Sequence, residues 1–295
     1  MYKEIDSNKR KTVLIFMFFA IFMIGLGWIL SYVLDSYSFL VLAVIVSLVQ
    51  ALIGYYYSDK IALSMSGAKK AERKESFLEL HRVVENLAIT AGLPKPEVYV
   101  INDPAPNAFA TGRDPKHASL AVTTGLLEIM NDEELRGVIA HEMSHVGNYD
   151  IRVMTIVVVL VGAIALLSDW FMRSLWFRGN RENESKGQAE AVLMVAGIVL
   201  AILAPIAATL IQLAISRKRE YLADASGALL TRYPEGLASA LEKLKQYGRP
   251  MIHKNRATAH LFIANPLEKI SIRSWFSTHP PLDDRIKKLR SMISG

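Results

Sequence analysis

The chain has 295 residues, 52% of them hydrophobic and 21% charged, with 34 Lys and Arg against 28 Asp and Glu for a formal charge of +6. In a soluble protein that excess would raise nucleic acid as a partner, but the charges are largely excluded from long apolar blocks, so the pattern points to a lipid bilayer and away from nucleic acid. The absence of cysteine rules out a disulfide framework, an iron–sulfur cluster and any thiolate metal site, leaving His, Asp and Glu to hold a metal.

Thr12–Leu34 is 23 residues without a charge, Asp35 interrupts, and Ser36–Ser58 is a second uncharged run of 23. Each can cross a hydrocarbon core of about 30 Å, so the pair reads as a tight transmembrane hairpin. The preceding Lys9, Arg10 and Lys11 would also suit a secretory signal. The first block is longer than the apolar part of such a signal and runs into a second span, so an uncleaved anchor is expected. Lys3 and Lys9–Lys11 precede the hairpin, Lys60, Lys69, Lys70, Arg73 and Lys74 follow it, and its turn has no Lys or Arg, which places both ends in the cytoplasm.

Lys69–Ala91 carries Phe77, Leu80, Val83, Val84 and Leu87 at helical spacing and stops at Gly92 and Pro94, with His81 expected on its solvated surface. Glu97–Ile101, Asn107–Thr111 and Ser119–Thr124 follow as three extended stretches, a small sheet ahead of the next helix. That helix opens with Asn131 as its cap and Glu134 in capping-box position, and Leu135, Val138, Ile139 and Val146 supply its buried stripe.

The same helix contains AHEMSHV. His141 and His145 stand one turn apart on one face, with Glu142 beside them, which is the H-E-x-x-H arrangement. Two neutral imidazoles of this kind hold Zn²⁺, and the carboxylate takes the proton from the water that the metal activates. A catalytic site needs a third protein ligand. The extended H-E-x-x-H-x-x-G-x-x-H form is excluded, because Asn148 and Ile151 stand where its glycine and last histidine would be.

Two more apolar blocks follow: Val153–Ser168, reaching Met172 if Asp169 sits at the interface, and Ala191–Ser216, with 26 uncharged residues. Pro205 in the latter would break a soluble helix, whereas helices packed in a membrane can satisfy the freed carbonyl. The three longest blocks hold no Asp, Glu, Lys, Arg or His, which counts against a transporter. Just beyond them, Ser216–Leu230 offers Glu220 and Asp224 on one helix face. Glu220 can close the zinc site while Asp224 accepts a hydrogen bond from a ligand histidine and fixes its tautomer. Pairing of Glu220 with the basic run Arg217–Arg219 is the alternative, and His253, His260 and His279 are rival third ligands.

With these residues the chain resembles the HtpX-type integral membrane zinc metalloproteases, relatives of the CAAX prenyl endoproteases. The resemblance runs from the first hairpin through AHEMSHV and the late hairpin to EYLAD. It implies His141, His145 and Glu220 as zinc ligands, Glu142 as general base and Asp224 as the partner of a ligand histidine. It makes Asn107–Gly112 the edge strand on which Asn107, Ala108, Phe109 and Ala110 would hold a substrate backbone. It also makes Ser277–Arg285 the C-terminal His-Pro stretch, with His279 as a donor to the oxyanion. The prenyl proteases proper are longer and have more spans.

The expected fold is α+β: a zincin-like catalytic unit with a small sheet and the HExxH helix, built from residues 59–152 and 217–295. It is mounted on four transmembrane helices, from residues 1–58 and from 153–216, the latter pair with an external loop. The expected function is a zinc endopeptidase, one Zn²⁺ per chain, cleaving misfolded or damaged membrane proteins at the cytoplasmic face of a bacterial-type inner membrane. Its partners are unfolded or membrane polypeptides and the bilayer. A non-proteolytic, zinc-containing membrane chaperone or adaptor is the alternative, disfavoured because a structural site is usually closed by four protein ligands.

Overall fold

The computed structural model describes residues 2–33, 35–178, 205–206, 208–210, 216–252, 255, 257–264 and 280–293. Helix α1 (Tyr2–Val33) spans the first apolar block, and α2 (Ser38–Tyr56) runs back beside it. Among the described residues, α1 alone is a straight helix long and apolar enough to cross a bilayer, over Ile5–Ile29. The second block ends with α2, and α3 (Ser58–Met65) leaves at 78°. Of the later pair, Val153–Ser168 lies within α7 (Asp150–Arg178), while Ala191–Ser216 falls almost wholly outside the described residues.

The helix expected from Lys69 begins instead at Leu78, as α4 (Leu78–Ala91), and ends with Gly92 in the left-handed conformation that favours glycine. Residues ahead of it form β1 (Ala68–Lys70), antiparallel to β2 (Glu97–Ile101), with Ala68 opposite Ile101. Nothing in so short a run shows strand periodicity; the pairing itself makes it a strand. It also overturns the expectation for His81, which is buried with Nε2 3.1 Å from the Ala71 carbonyl oxygen. The backbone leaving β1 covers that histidine.

The sheet order is β1-β2-β4-β3, in which β3 (Ala108–Gly112) is an edge strand antiparallel to β4 (Ala118–Thr123), and β2 and β4 run parallel. Successive strand residues point to opposite faces, and here both faces are covered. Val98, Val100, Ala108, Leu120 and Val122 pack toward α4 and the helix that carries the H-E-x-x-H motif, α6 (Asp132–Gly147). Ile101, Phe109 and Ala121 pack with α3, α7, Leu261 and Phe262. A short helix, α5 (Thr124–Ile129), connects β4 to α6.

Helix α6 begins as its sequence indicates. Asn131 accepts from the Glu134 backbone N–H, and the Glu134 carboxylate accepts from the Asn131 N–H at 2.8 Å. Glu134 also accepts from Ser239 at 2.7 Å and Lys243 at 2.6 Å, joining α6 to α9 (Pro234–Tyr247). The end of α6 turns 83° into α7. Helices α8 (Arg217–Thr231) and α10 (Leu282–Ser291) complete the layer that covers α6.

Candidate metal centre

The capping box and the buried stripe fix the rotation of α6, and with it the direction in which His141, Glu142 and His145 point. All three are buried, below α8, which crosses close over them. Gly227 makes that approach possible, because a Cβ there would lie 3.0 Å from the His141 backbone nitrogen. One and two turns earlier on α8, Asp224 and Glu220 then reach the histidines.

One donor atom each from His141, His145 and Glu220 can be chosen so that all lie within 4.8 Å of one another. Glu220 Oε1 is 3.5 Å from His145 Nε2, and its Oε2 is 3.9 Å from His141 Nε2. Both separations are close to the ~3.3 Å expected between two ligands of one tetrahedral ion at ~2.0 Å. The remaining ring nitrogens face carboxylates. His141 Nδ1 is 3.0 Å from Asp224 Oδ1, and His145 Nδ1 is 3.0 Å from Asp150 Oδ2. Each imidazole thus gives one nitrogen to an orienting acceptor and turns the other toward Glu220.

Charge gives an independent measure of fit. Glu142, Asp150, Glu220 and Asp224 are buried together with two guanidinium groups, Arg219 and Arg285. Arg219 Nη1 lies 3.3 Å from Asp150 Oδ1, and Arg285 forms two hydrogen bonds to Asp224, of 2.8 and 2.6 Å. With neutral imidazoles and ionised carboxylates these six side chains sum to a formal charge of −2. Such a set is costly to bury, and a divalent cation among the three donors neutralises it. The donor types, their spacing and the charge all fit a metal ion.

A model of peptidase family M48 matches residues 73–293. The chain is a member of peptidase family M48. A "Protease HtpX homolog" of Caldanaerobacter subterraneus subsp. tengcongensis is 48% identical, over 99% of this chain and 98% of that one. One from Tropheryma whipplei strain Twist is 50% identical with the same coverage. The crystal structure of Ste24p from S. mikatae shares the fold, with a TM-score of 0.51 at 19% identity over 98% of this chain and 67% of its own.

In this M48 peptidase the sequence reading passed over two partners of the cluster. Arg285 is fully buried, and its Nη2 lies 3.4 Å from both ring nitrogens of His141, so it rests over the face of the ring; its Nη1 is 3.6 Å from Glu220 Oε2. Asp150 opens α7, immediately after the zinc-motif helix. The signal for it was an acidic residue between that motif and an apolar block, where a lone charge needs a partner. Among the rival ligands, His260 is turned away, with Nε2 2.9 Å from the Met154 carbonyl oxygen. His253 and His279 lie outside the described residues.

The edge strand has its own contacts. The Ala110 N–H donates to Glu142 Oε2 at 2.8 Å. At its start, the Ile263 N–H donates to the Ala108 carbonyl at 3.0 Å, and the Asn107 side chain bonds both ways with the Ala264 backbone. Phe109 is buried on the opposite face, its ring 4.8 Å from that of Phe262.

Burial pushes the Glu142 carboxyl up, against the pull of both histidines. For Asp224, burial is outweighed by Arg285 and by the His141 hydrogen bond, and its carboxyl falls to about 2. His145 moves the other way: burial would lower it, but Asp150 and Glu220 together raise it to about 10 when no cation is present. A cation entering the site must therefore displace a proton from His145. Metal affinity is expected to rise with pH up to about 10, by at most about tenfold per unit for each proton displaced. Competition against a chromogenic chelator at several pH values measures this slope, and an affinity independent of pH would contradict it.

Proposed function

We propose that the protein is an integral membrane zinc endopeptidase that cleaves misfolded or damaged membrane polypeptides at the cytoplasmic face. The buried His141, His145 and Glu220 triad carries this reading, because it has Glu142 beside it and lies in a buried set whose formal charge of −2 one divalent ion would neutralise. Zinc suits two imidazoles and a carboxylate without sulfur.

The three donors would hold one Zn²⁺ per chain, and Asp224 and Asp150 would keep each imidazole in the tautomer that leaves Nε2 free to bind. When bound, the ion supplies Lewis acidity to water and to the scissile carbonyl. Glu142 is the group that takes the proton from water and returns it to the leaving amine; the raised affinity of its carboxylate for protons suits both directions of transfer. Edge strand β3 would pair with an extended substrate, which would take over the Ala110 N–H that donates to Glu142. His279 is proposed as a further donor to the oxyanion.

Four spans with both termini and the site in the cytoplasm are consistent with the basic flanks of the first hairpin. The relatives' name, protease HtpX homolog, supports proteolysis.

The test uses the full-length chain in detergent. It should copurify with about one zinc, cleave a loosely folded polypeptide, lose activity to a chelator and regain it with Zn²⁺. Cleavage that survives complete metal removal would overturn the reading. Because the chain has no cysteine, single cysteines report its orientation: at Ser7, Ser76 or Ser291 they should react from the cytoplasmic side, and at Ser36 or Ser185 from outside.

A further inference from the structure

The buried face of α1 is Asn8, Thr12, Ile15, Phe19 and Leu26, at steps of four, three, four and seven that keep to one side of a helix. The last three join Val153, Ile156 and Leu160 of α7 in one apolar cluster. The head of this stripe is polar. Asn8 is fully buried, and its amide nitrogen donates to Asp150 Oδ1 at 2.8 Å and to the Asn148 carbonyl oxygen at 2.9 Å. Both partners are acceptors only, which fixes the amide orientation and uses both of its hydrogens. The Asn8 oxygen then has no partner among the described residues, a penalty that an apolar residue in the stripe would not carry.

Those two contacts hold the corner between α6 and α7. Tyr149, between the two acceptors, has a left-handed φ of 60°, and its ring is approached by Lys9 Nζ at 5.4 Å and by the Arg152 guanidinium at 5.1 Å. Asp150 is shared: one oxygen takes Asn8 and Arg219, and the other takes His145 Nδ1. A single carboxylate therefore connects the head of a membrane helix to a candidate metal ligand.

We propose that Asn8 is a positioning residue that orients His145 through Asp150, so that the metal site is complete only while the head of α1 is seated against the α6–α7 corner. This rests on the reading of His145 as a ligand. Without the two hydrogen bonds from Asn8, Asp150 loses one of the contacts that orient it, keeping those with Arg219 and His145, and the Asn148–Asp150 corner loses its amide tie to α1. The His145 ring then has a wider range of orientations, and the donor set is less preorganised.

The test measures Co²⁺ and Zn²⁺ affinity of the full-length chain in detergent by chelator competition, with the visible spectrum of bound Co²⁺ as a reporter of ligand geometry. Asn8→Ala should lower affinity about tenfold, within the range for partners of metal-bound histidines. Asn8→Asp, which sets a carboxylate against Asp150, should lower it further, and both should alter the Co²⁺ spectrum. Asp150→Ala should also weaken binding, and the Asn8→Ala, Asp150→Ala double variant should lose no more than Asp150→Ala alone, because the first residue acts through the second.

Ile15→Ala loosens the same helix without touching the corner; it should lower the melting temperature and leave the affinity and spectrum of the folded fraction unchanged. Wild-type affinity in Asn8→Ala, additive losses in the double variant, or an equal loss in Ile15→Ala would each overturn the proposal. A wild-type chain that binds neither metal would overturn the zinc reading along with it, whereas these other results leave that reading standing.

Discussion

Glu142→Gln should keep its zinc and lose hydrolysis by about a thousandfold, within the range that a positioned general base contributes. The amide has the volume of the carboxylate and an oxygen that can still accept from the Ala110 N–H, so the packing between β3 and α6 is preserved. His141, His145 and Glu220 are untouched. The amide cannot accept the proton that water must release, and so the variant separates metal binding from chemistry. The decisive measurement is zinc per chain together with the initial rate on a loosely folded polypeptide. A rate near that of the native chain would remove Glu142 from the role of base.

Glu220→Ala should have the opposite signature, with metal and activity lost together. The substitution removes one of the three donors and leaves the Arg285 guanidinium, 3.6 Å from the missing carboxylate, with less negative charge to face. Affinity for Zn²⁺ should fall by well over the roughly ten- to a hundredfold expected for Asp224→Ala, which removes only an orienting partner of His141. Measured in parallel by chelator competition, the two variants should differ clearly. Normal zinc affinity in Glu220→Ala would transfer the third ligand to His253 or His279.

What the sequence discloses about this site is the part encoded locally. His141, Glu142 and His145 lie within one helical turn and a half, and the Asn131 and Glu134 pair marks where their helix starts, so spacing is sufficient to find them. Glu220 and Asp224 stand out through a second local regularity, one turn apart beside a basic run. Arg285 has no such regularity: its contact with His141 joins residues 144 positions apart, and the packing of α10 against α8 and α9 brings it there.

The same distinction governs the fold. Strands β2, β3 and β4 were legible from their composition, whereas β1 depends on a partner strand, and His81 was misplaced because the backbone that covers it belongs to that pairing. Apolar runs identify the material of the long helices, and the break between α2 and α3 falls where the second run gives way to Ser58, Asp59 and Lys60, but the 78° angle there is not readable from composition.

The cluster is also assembled in a fixed temporal order. During synthesis the ribosome delivers α6 with its two histidines first, then α7, then Glu220 and Asp224 on α8, and Arg285 on α10 almost last. Until α8 emerges, the histidines have no third donor; until α10 docks, the Asp224 carboxylate lacks the guanidinium that compensates it. A nascent chain therefore carries an unfinished centre until α8 and α10 have both followed α6. A chain cut between α8 and α10 would hold the three donors without the guanidinium that pairs with Asp224.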